Sequence, residues 1–406
     1  MTIMKIAMMT NSYKPFVAGV PVSIEKLSES LRTLGHQVTI FAPSYDHQEE
    51  EADVIRYGTL LKGVAGGFSV PNSLDPKIES AFQEGDFDVI HVHHPMMIGA
   101  TARYLSKKYH VPVICTYHTR YEQYLHYVGL SGLQHILPVY LQRTLGTCDM
   151  VFAPTPNIRA YLREIGISAP VEVLPTGVTT ASFHPDMHKA SALREKFAQG
   201  RPFLFCTVAR LAKEKNLEFL LESLAFYKQK AGSSFKLLLI GEGPYRAKLS
   251  CRIRELSLTE EVILVGEVPN ADIKEYCRAC DLFLFPSRSE TQGIVLLEAM
   301  AAGTPVLALR ATGTEDIVRN GVNGYMINVS GDSAQKISHD EQVFAGRLMD
   351  ILSGKELEFL KQGAIETAAS YDCQRIALKA AACYRRAIWT HGTQRTRFYR
   401  QPAGTG

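Results

Sequence analysis

Short apolar runs, many of them β-branched and most closed by a turn or polar residue, recur along the whole chain, and the stretches between them carry helical periodicity. In the first half the runs are KIAMMT (5–10), HQVTIFAP (36–43), DVIHVHHP (88–95), VPVICTYHT (111–119) and MVFAPT (150–155). Residues 21–34 place Ile24, Leu27, Leu31 and Leu34 on one helical face, and Gly35 stands in the C-cap position. A further helix is predicted near 98–109. Strands that are apolar along their length must be covered on both faces, which is the pattern of a parallel sheet flanked by helices.

The segment VLPTGVTTASFHPD (173–186) interrupts this rhythm with Pro, Gly, Thr and Ser and reads as a connection. The alternation then restarts with FLFCTVAR, a helix at 216–229, FKLLLIGEGP, a helix at 245–256, EVILVGEV, a helix at 270–279, DLFLFPS and PVLALR. Residues 375–389 form a closing helix. At 406 residues the chain exceeds one ordinary core, so two α/β domains in tandem are predicted: 1–178, 179–375, then a crossover helix and basic tail at 376–406. In doubly wound sheets ligands gather at the carboxyl ends of the strands, and two such ends facing across a cleft suit a two-substrate reaction.

Composition narrows the class. Hydrophobic residues at 46% and charged residues at 21% describe a globular enzyme, and a net charge of +3 is too mild for nucleic-acid binding. No apolar run approaches the roughly 18 residues of a membrane span, and the N-terminus reads as a first strand rather than a secretory signal. Most of the eight cysteines sit inside apolar runs. The pair Cys277 and Cys280 has CxxC spacing without a second CxxC, and reads as small semi-buried residues at a helix end. Reduced thiols point to a cytoplasmic protein.

The stretch SETQGIVLLEAMAAGTPVLA (289–308) concentrates the chemistry. It follows a buried strand, so Glu290 emerges at the strand's carboxyl end, and Gly293 allows a tight turn into a helix over 294–302. The N–H groups of Gly293, Ile294 and Val295 then form an anion site. Glu298, one turn further in, can accept two hydrogen bonds from a cis-diol such as a ribose, each charge-assisted bond contributing about 1.5–3 kcal/mol. Glu290 lies beyond the anion and can reach the group attached to it. The competing reading is a helix cap at Glu290 and a solvated Glu298.

A second loop weighs between these readings. In TVARLAKEKNLEFLLESL, Arg210 and Lys215 follow a strand, and two cations there suit a diphosphate, although pairing with Glu214 would also explain them. Gly241 and Gly243 follow the strand of LLLIGEGPYR, and Gly19 lies at the first strand-to-helix turn in YKPFVAGVPVS, all three read as places where backbone approaches a ligand. The absence of GxGxxG there argues against a dehydrogenase. His118 ends its strand on the same side. The cluster His91, His93, His94, His118 and His126 lacks a completing carboxylate or thiolate, with His94 pointing away from His91 and His93, so no metal site is expected.

Taken in order, the Gly19 loop, His118, Arg210 with Lys215, GEGP, and Glu290 with Glu298 resemble the retaining, GT-B-fold nucleotide-sugar glycosyltransferases of family 4, over nearly the whole chain. The resemblance implies two Rossmann-like domains, acceptor-binding then donor-binding, with a C-terminal helix returning to the first. It gives Arg210 and Lys215 the diphosphate, Glu298 the ribose, Glu290 the donor sugar near its 3- and 4-hydroxyls, and His118 the 6-hydroxyl. Gly19 frames the phosphate side, and backbone near Val268 and Pro269 meets the base. It further implies no cofactor and no required metal, the nucleotide-sugar being a substrate, and retention of the α-configuration by front-side attack.

TYHTRYEQYLHYVG (116–129) and SETQG (289–293) look like the bacterial diacylglycerol α-glucosyltransferases, which implies a UDP-glucose donor, a lipid acceptor and peripheral contact with the cytoplasmic face of the inner membrane. Gln292 stands where many relatives carry an aromatic residue, and Gly19-Val20 replaces a double glycine. Against a membrane acceptor, residues 1–180 hold 14 Lys and Arg and 16 Asp and Glu, with no evident basic stripe. The apolar segment 129–146 reads equally as a lipid-docking element or a core helix. The tail RRAIWTHGTQRTRFYR (385–400), with five Arg and no acid, reads as a disordered terminus or a membrane contact. Alternatives are a UDP- or GDP-sugar transferase acting on a soluble or polyprenyl-linked glycan, and a nucleotide-sugar epimerase, which would turn over donor without acceptor.

Overall fold

Every strand of the two main sheets runs parallel to its neighbours, so all strand carboxyl ends of a sheet open on one edge. The computed structural model describes residues 2–16, 18–64, 68–121, 136–288, 290–331 and 333–398. It divides into two units, Met1–Gly177 with Cys373–Gly406, and Val178–Asp372.

In the first unit the strands are β1 (Lys5–Met9), β2 (Gln37–Pro43), β3 (Val54–Tyr57), β4 (Thr59–Val64), β5 (Phe68–Pro71), β6 (Val89–Val92), β7 (Val113–Thr116), β8 (Met150–Ala153) and β9 (Val171–Val173). The sheet order is β3-β2-β1-β6-β7-β8-β9, and β4 with β5 forms a separate antiparallel hairpin. One sheet face packs Ala7, Met9, Ile90, Val92 and Cys115 against the helices Ile98–Tyr109, Leu137–Leu145 and Pro156–Glu164. Near the other lie the helix Gly19–Thr33 and a long helix, Cys373–Phe398, which pack on each other. The first of these starts at Gly19 itself, two residues before the apolar periodicity begins.

In the second unit β10 (Phe203–Val208), β11 (Phe235–Ile240), β12 (Val262–Gly266), β13 (Leu282–Phe285), β14 (Val306–Leu309) and β15 (Gly324–Ile327) are ordered β12-β11-β10-β13-β14-β15. This is the doubly wound order, and its direction of winding reverses between β10 and β13. Alternate residues of β10 feed two separate cores. Phe205 packs with the helix Leu217–Ala231, whereas Leu204 and Cys206 pack with the helix Ile294–Ala301.

The closing helix extends further than its sequence pattern. It runs unbroken to Phe398, which corrects the expectation of a disordered segment for residues 390–398; residues 399–406 lie outside the described residues. Thr390 and Thr393 bond back to the carbonyls of Arg386 and Thr390, and His391 Nδ1 meets Asp149 Oδ1 at 2.8 Å. Asp149 is 242 positions away in sequence, so nothing local reveals this anchor. The segment 129–146 resolves, within its described part, into a helix whose Leu137, Leu141 and Leu145 are buried while Ile136 and Val139 stay exposed.

Tyr384 is the inward anchor of the closing helix. Fully buried, its hydroxyl lies 2.7 Å from His91 Nδ1, and His91 Nε2 lies 2.7 Å from Thr116 Oγ1. Replacing Tyr384 by Phe keeps the ring but strips His91 of a partner in a dry interior. Urea denaturation of Tyr384→Phe is expected to show a loss of about 1–3 kcal/mol.

Candidate active site

The loops leaving β10 and β13 carry the residues of the second unit's site. After β10 the chain passes Arg210, makes a 3-10 turn at Lys213–Lys215, and enters its helix through Asn216 in the left-handed region (φ 55°). Asparagine tolerates this conformation better than most residues. Its Nδ2 donates to the Pro286 carbonyl (3.1 Å), fastening the β10 loop to the β13 loop. Sequence reading missed Asn216, because its partner lies 70 positions away.

Across that junction the Lys215 ammonium pairs with Glu290 Oε1, both side chains being only about a fifth to a quarter exposed (20% and 24%). The buried Ser287 hydroxyl donates to the same oxygen at 3.2 Å. No side chain caps the following helix, and Lys215 pairs with Glu290 across the two loops. Arg210 is exposed, and among the described residues its guanidinium has no hydrogen-bond or ion-pair partner. Lys215, Ser287 and Glu290 thus meet where the winding of the sheet reverses, with Arg210 on the same loop as Lys215.

The helix Ile294–Ala301 begins at Gly293, whose φ of +67° suits glycine, and no side chain caps its first N–H groups. Glu298 is half-buried on this helix. A neighbour overlooked in the sequence explains how tightly the Glu290 loop is seated. A Cβ at Gly313 would fall 2.6 Å from the Glu290 carbonyl oxygen, so only glycine fits there. The sole signal was a glycine between two threonines after β14.

Gly241 and Gly243 also allow one loop to pack closely on another. A Cβ on Gly241 would meet the Ala209 carbonyl oxygen at 2.1 Å, and one on Gly243 the Leu211 carbonyl oxygen at 2.4 Å. Both contacts are to the β10 loop. Leu211 N–H donates to the Glu242 carbonyl and Tyr245 N–H to the Leu211 carbonyl, both at 2.9 Å. Val268 is half-buried and Pro269 exposed, leading into a 3-10 turn at Asn270–Asp272 that precedes the helix Ile273–Ala279.

In the first unit Gly19 is exposed at its helix start, and His118 follows β7. His118 Nε2 stands 2.9 Å from His93 Nδ1, beside a cavity also lined by Ser23, Lys26, Thr116 and Thr176. His93 Nε2 is buried and has no partner. An orphaned buried N–H is costlier than an orphaned lone pair, so the proton belongs on Nδ1 and is donated to His118. His118 then carries its own proton on Nδ1.

Burial holds all four described members of the histidine cluster neutral. His91 is pushed down to about 3 and His94 to about 4, while His93 and His118 lie well below the usual imidazole range. His94 Nδ1 accepts from the Asn11 N–H (3.1 Å), whereas the His91 and His93 rings lie against each other at a tilt of 36°. His126 lies outside the described residues. Cys206, Cys277 and Cys280 are buried in one core, and among the described residues no group of three or more His, Cys, Asp or Glu could hold a metal ion.

Comparison with known proteins bears on this arrangement. Residues 17–182 match the model for Glycosyltransferase Family 4, and residues 189–342 match that for Glycosyl transferases group 1. An alpha-monoglucosyldiacylglycerol synthase of Streptococcus pneumoniae is 30% identical over 320 residues, covering 75% of this chain and 71% of that protein. The chain belongs to glycosyltransferase family 4. It is a hexosyltransferase of the GT-B fold. The synthase of the same name from Acholeplasma laidlawii is 28% identical over 84% of this chain and 88% of its own length. A GDP-mannose-dependent alpha-mannosyltransferase of Corynebacterium glutamicum is 26% identical over 80% of this chain and 77% of its own. The crystal structure of Anabaena HepE in complex with UDP and glucose superposes with a TM-score of 0.73 at 20% identity, covering 94% of this chain and 99% of that one.

The buried imidazoles make the first unit of this glycosyltransferase sensitive to acid. The unfolded state takes up protons near the ordinary histidine value of 6.5, whereas folded His91 and His94 resist them until about 3 and 4. Stability is therefore complete above about pH 6.5 and falls as the pH drops toward those values. Each of the two is expected to cost about 2 kcal/mol between pH 7 and pH 5, read as a falling urea midpoint that flattens in a His94→Asn variant by its share.

Proposed function

We propose that this family 4 enzyme moves glucose from UDP-glucose to a lipid acceptor such as diacylglycerol, forming an α-glycoside with retention. The observation that carries the reading is the Lys215–Glu290 pair, set with Arg210 at the strand ends where the sheet reverses. Without a donor, the two charges neutralise each other across the β10 and β13 loops. On this reading, a nucleotide-sugar draws Lys215 and Arg210 onto its diphosphate and leaves Glu290 to accept from the sugar's 3- and 4-hydroxyls. Glu298 takes the ribose, the N–H groups of Gly293, Ile294 and Val295 face phosphate, and backbone at Gly241, Gly243, Val268 and Pro269 borders the nucleotide. His118 and Gly19 take the 6-hydroxyl and the phosphate side.

In the reaction the acceptor oxygen bonds to the anomeric carbon as the bond from that carbon to the diphosphate oxygen breaks. The acceptor's proton passes to the departing phosphate, on the same face, so configuration is retained. Arg210 and Lys215 stabilise the charge that grows on the leaving group; removing one preorganised donor of this kind raises a barrier by about 2.7–4 kcal/mol. Support for the lipid acceptor comes from the two diacylglycerol-glucosylating relatives. The mannosyltransferase relative supports the donor side of a second reading, GDP-sugar transfer, for which we propose a soluble or polyprenyl-linked glycan as acceptor.

Purified protein with radiolabelled UDP-glucose and diacylglycerol liposomes is expected to yield a labelled, α-glucosidase-sensitive lipid on thin-layer chromatography. Donor consumption without labelled lipid would reject the acceptor; an untouched donor, with GDP-mannose consumed instead, would favour the second reading. Arg210→Ala and Glu290→Ala are each expected to lower kcat by two decades or more while the melting temperature holds. Chelation by EDTA is expected to leave turnover largely intact, and loss restored by a single metal would overturn the metal-independent mechanism.

A further inference from the structure

The objection that the sequence raised against a membrane acceptor was electrostatic, and the fold changes its terms. Through residue 177 the chain holds 14 Lys and Arg against 16 Asp and Glu. The helix Cys373–Phe398 holds six Arg and Lys and no acid, and it belongs to the first unit. Counted with that helix, the unit carries +4 rather than −2.

The added charge sits on a helix with two distinct sides. Ile376, Ala377, Ala380, Tyr384 and Ala387 are buried, while Arg375, Leu378, Lys379, Ala382, Arg386 and Trp389 are exposed at spacings of three and four residues. That exposed stripe runs roughly 21 Å at 1.5 Å per residue. Trp389 is the only tryptophan of the chain and is 71% exposed, and Leu378 is 42% exposed. Two carboxylates that meet the helix are engaged there, Glu172 by Arg386 (2.7 Å) and Asp149 by His391 (2.8 Å). Lys379 has no partner among the described residues.

From these observations we infer that the exposed face of the helix Cys373–Phe398 docks the protein on an anionic lipid bilayer, an inference that deepens the lipid-acceptor reading and rests on it. Cations attract the headgroups, and the indole and leucine enter the interfacial layer, where amphipathic rings are stabilised. A polyanion in water, such as nucleic acid, would satisfy the cations but leave Trp389 and Leu378 against solvent. The rigid anchoring by Tyr384 and His391 presents the stripe as one surface rather than a loose tail.

The sole tryptophan reports docking directly. Full-length protein titrated with phosphatidylcholine vesicles containing about a third phosphatidylglycerol should show a blue-shifted emission that brominated acyl chains quench, and pure phosphatidylcholine should give little of either. Lys379→Glu with Ala382→Glu keeps Trp389 and alters only exposed positions; its partition onto the anionic vesicles should fall at least tenfold, with unchanged melting. Its turnover on detergent-dispersed acceptor should match the parent. An absent shift, undiminished partition of the double variant, or binding to duplex DNA at equal strength with no blue shift would overturn the inference. Docking without a labelled lipid product would uphold this surface while rejecting the lipid acceptor.

Discussion

β10 and β13 lie side by side in the second unit's sheet, yet the helices that follow them pack into different cores. Parallel strands require crossover connections, and right-handed crossovers that wind away from each other must leave a crevice where they part. Everything chemical in this unit depends on that divergence. It exposes the starts of two helices side by side and gives Arg210, Lys215 and Glu290 a common edge without burying them. Had the chain wound in one direction only, the helices would have closed over the strand ends.

Close backbone packing then makes the crevice rigid. Gly241 and Gly243 let the β11 loop lie against Ala209 and Leu211, and Gly313 lets the β14 loop lie against Glu290. Asn216 joins the β10 and β13 loops from a left-handed backbone position. The charged side chains are thus carried on loops braced from both sides, so the Lys215–Glu290 pair is held at modest cost in side-chain entropy. In the first unit the same economy of polar contacts appears in the histidines. His91 ties the closing helix to β6 and β7, and His93 fixes which nitrogen of His118 carries a proton.

Much of this could be read from the sequence because it is local. The apolar runs became buried parallel strands, the helix periods became helices, and positions following strands became loop positions at a shared edge. Arg210, Lys215 and Glu290 were legible for that reason: each lies in the loop that follows a strand. The glycines were legible as close-approach positions, but not the surface they approach. Asn216, Ser287 and Gly313 were missed, since their meaning resides in partners that only folding supplies.

The sequence by itself determined the two α/β sheets, the family, and the edges on which charged residues emerge, because hydrophobic period and turn chemistry act over a few residues. Tertiary structure alone decided that Lys215 meets Glu290 across 75 positions, that Asp149 and His91 hold the closing helix, and that this cationic helix joins the first unit. Pairing and surface charge are properties of distance in space. A chain read in one dimension counts the cations of its last helix at the end of the sequence, while the folded protein places that helix on the unit that opens it.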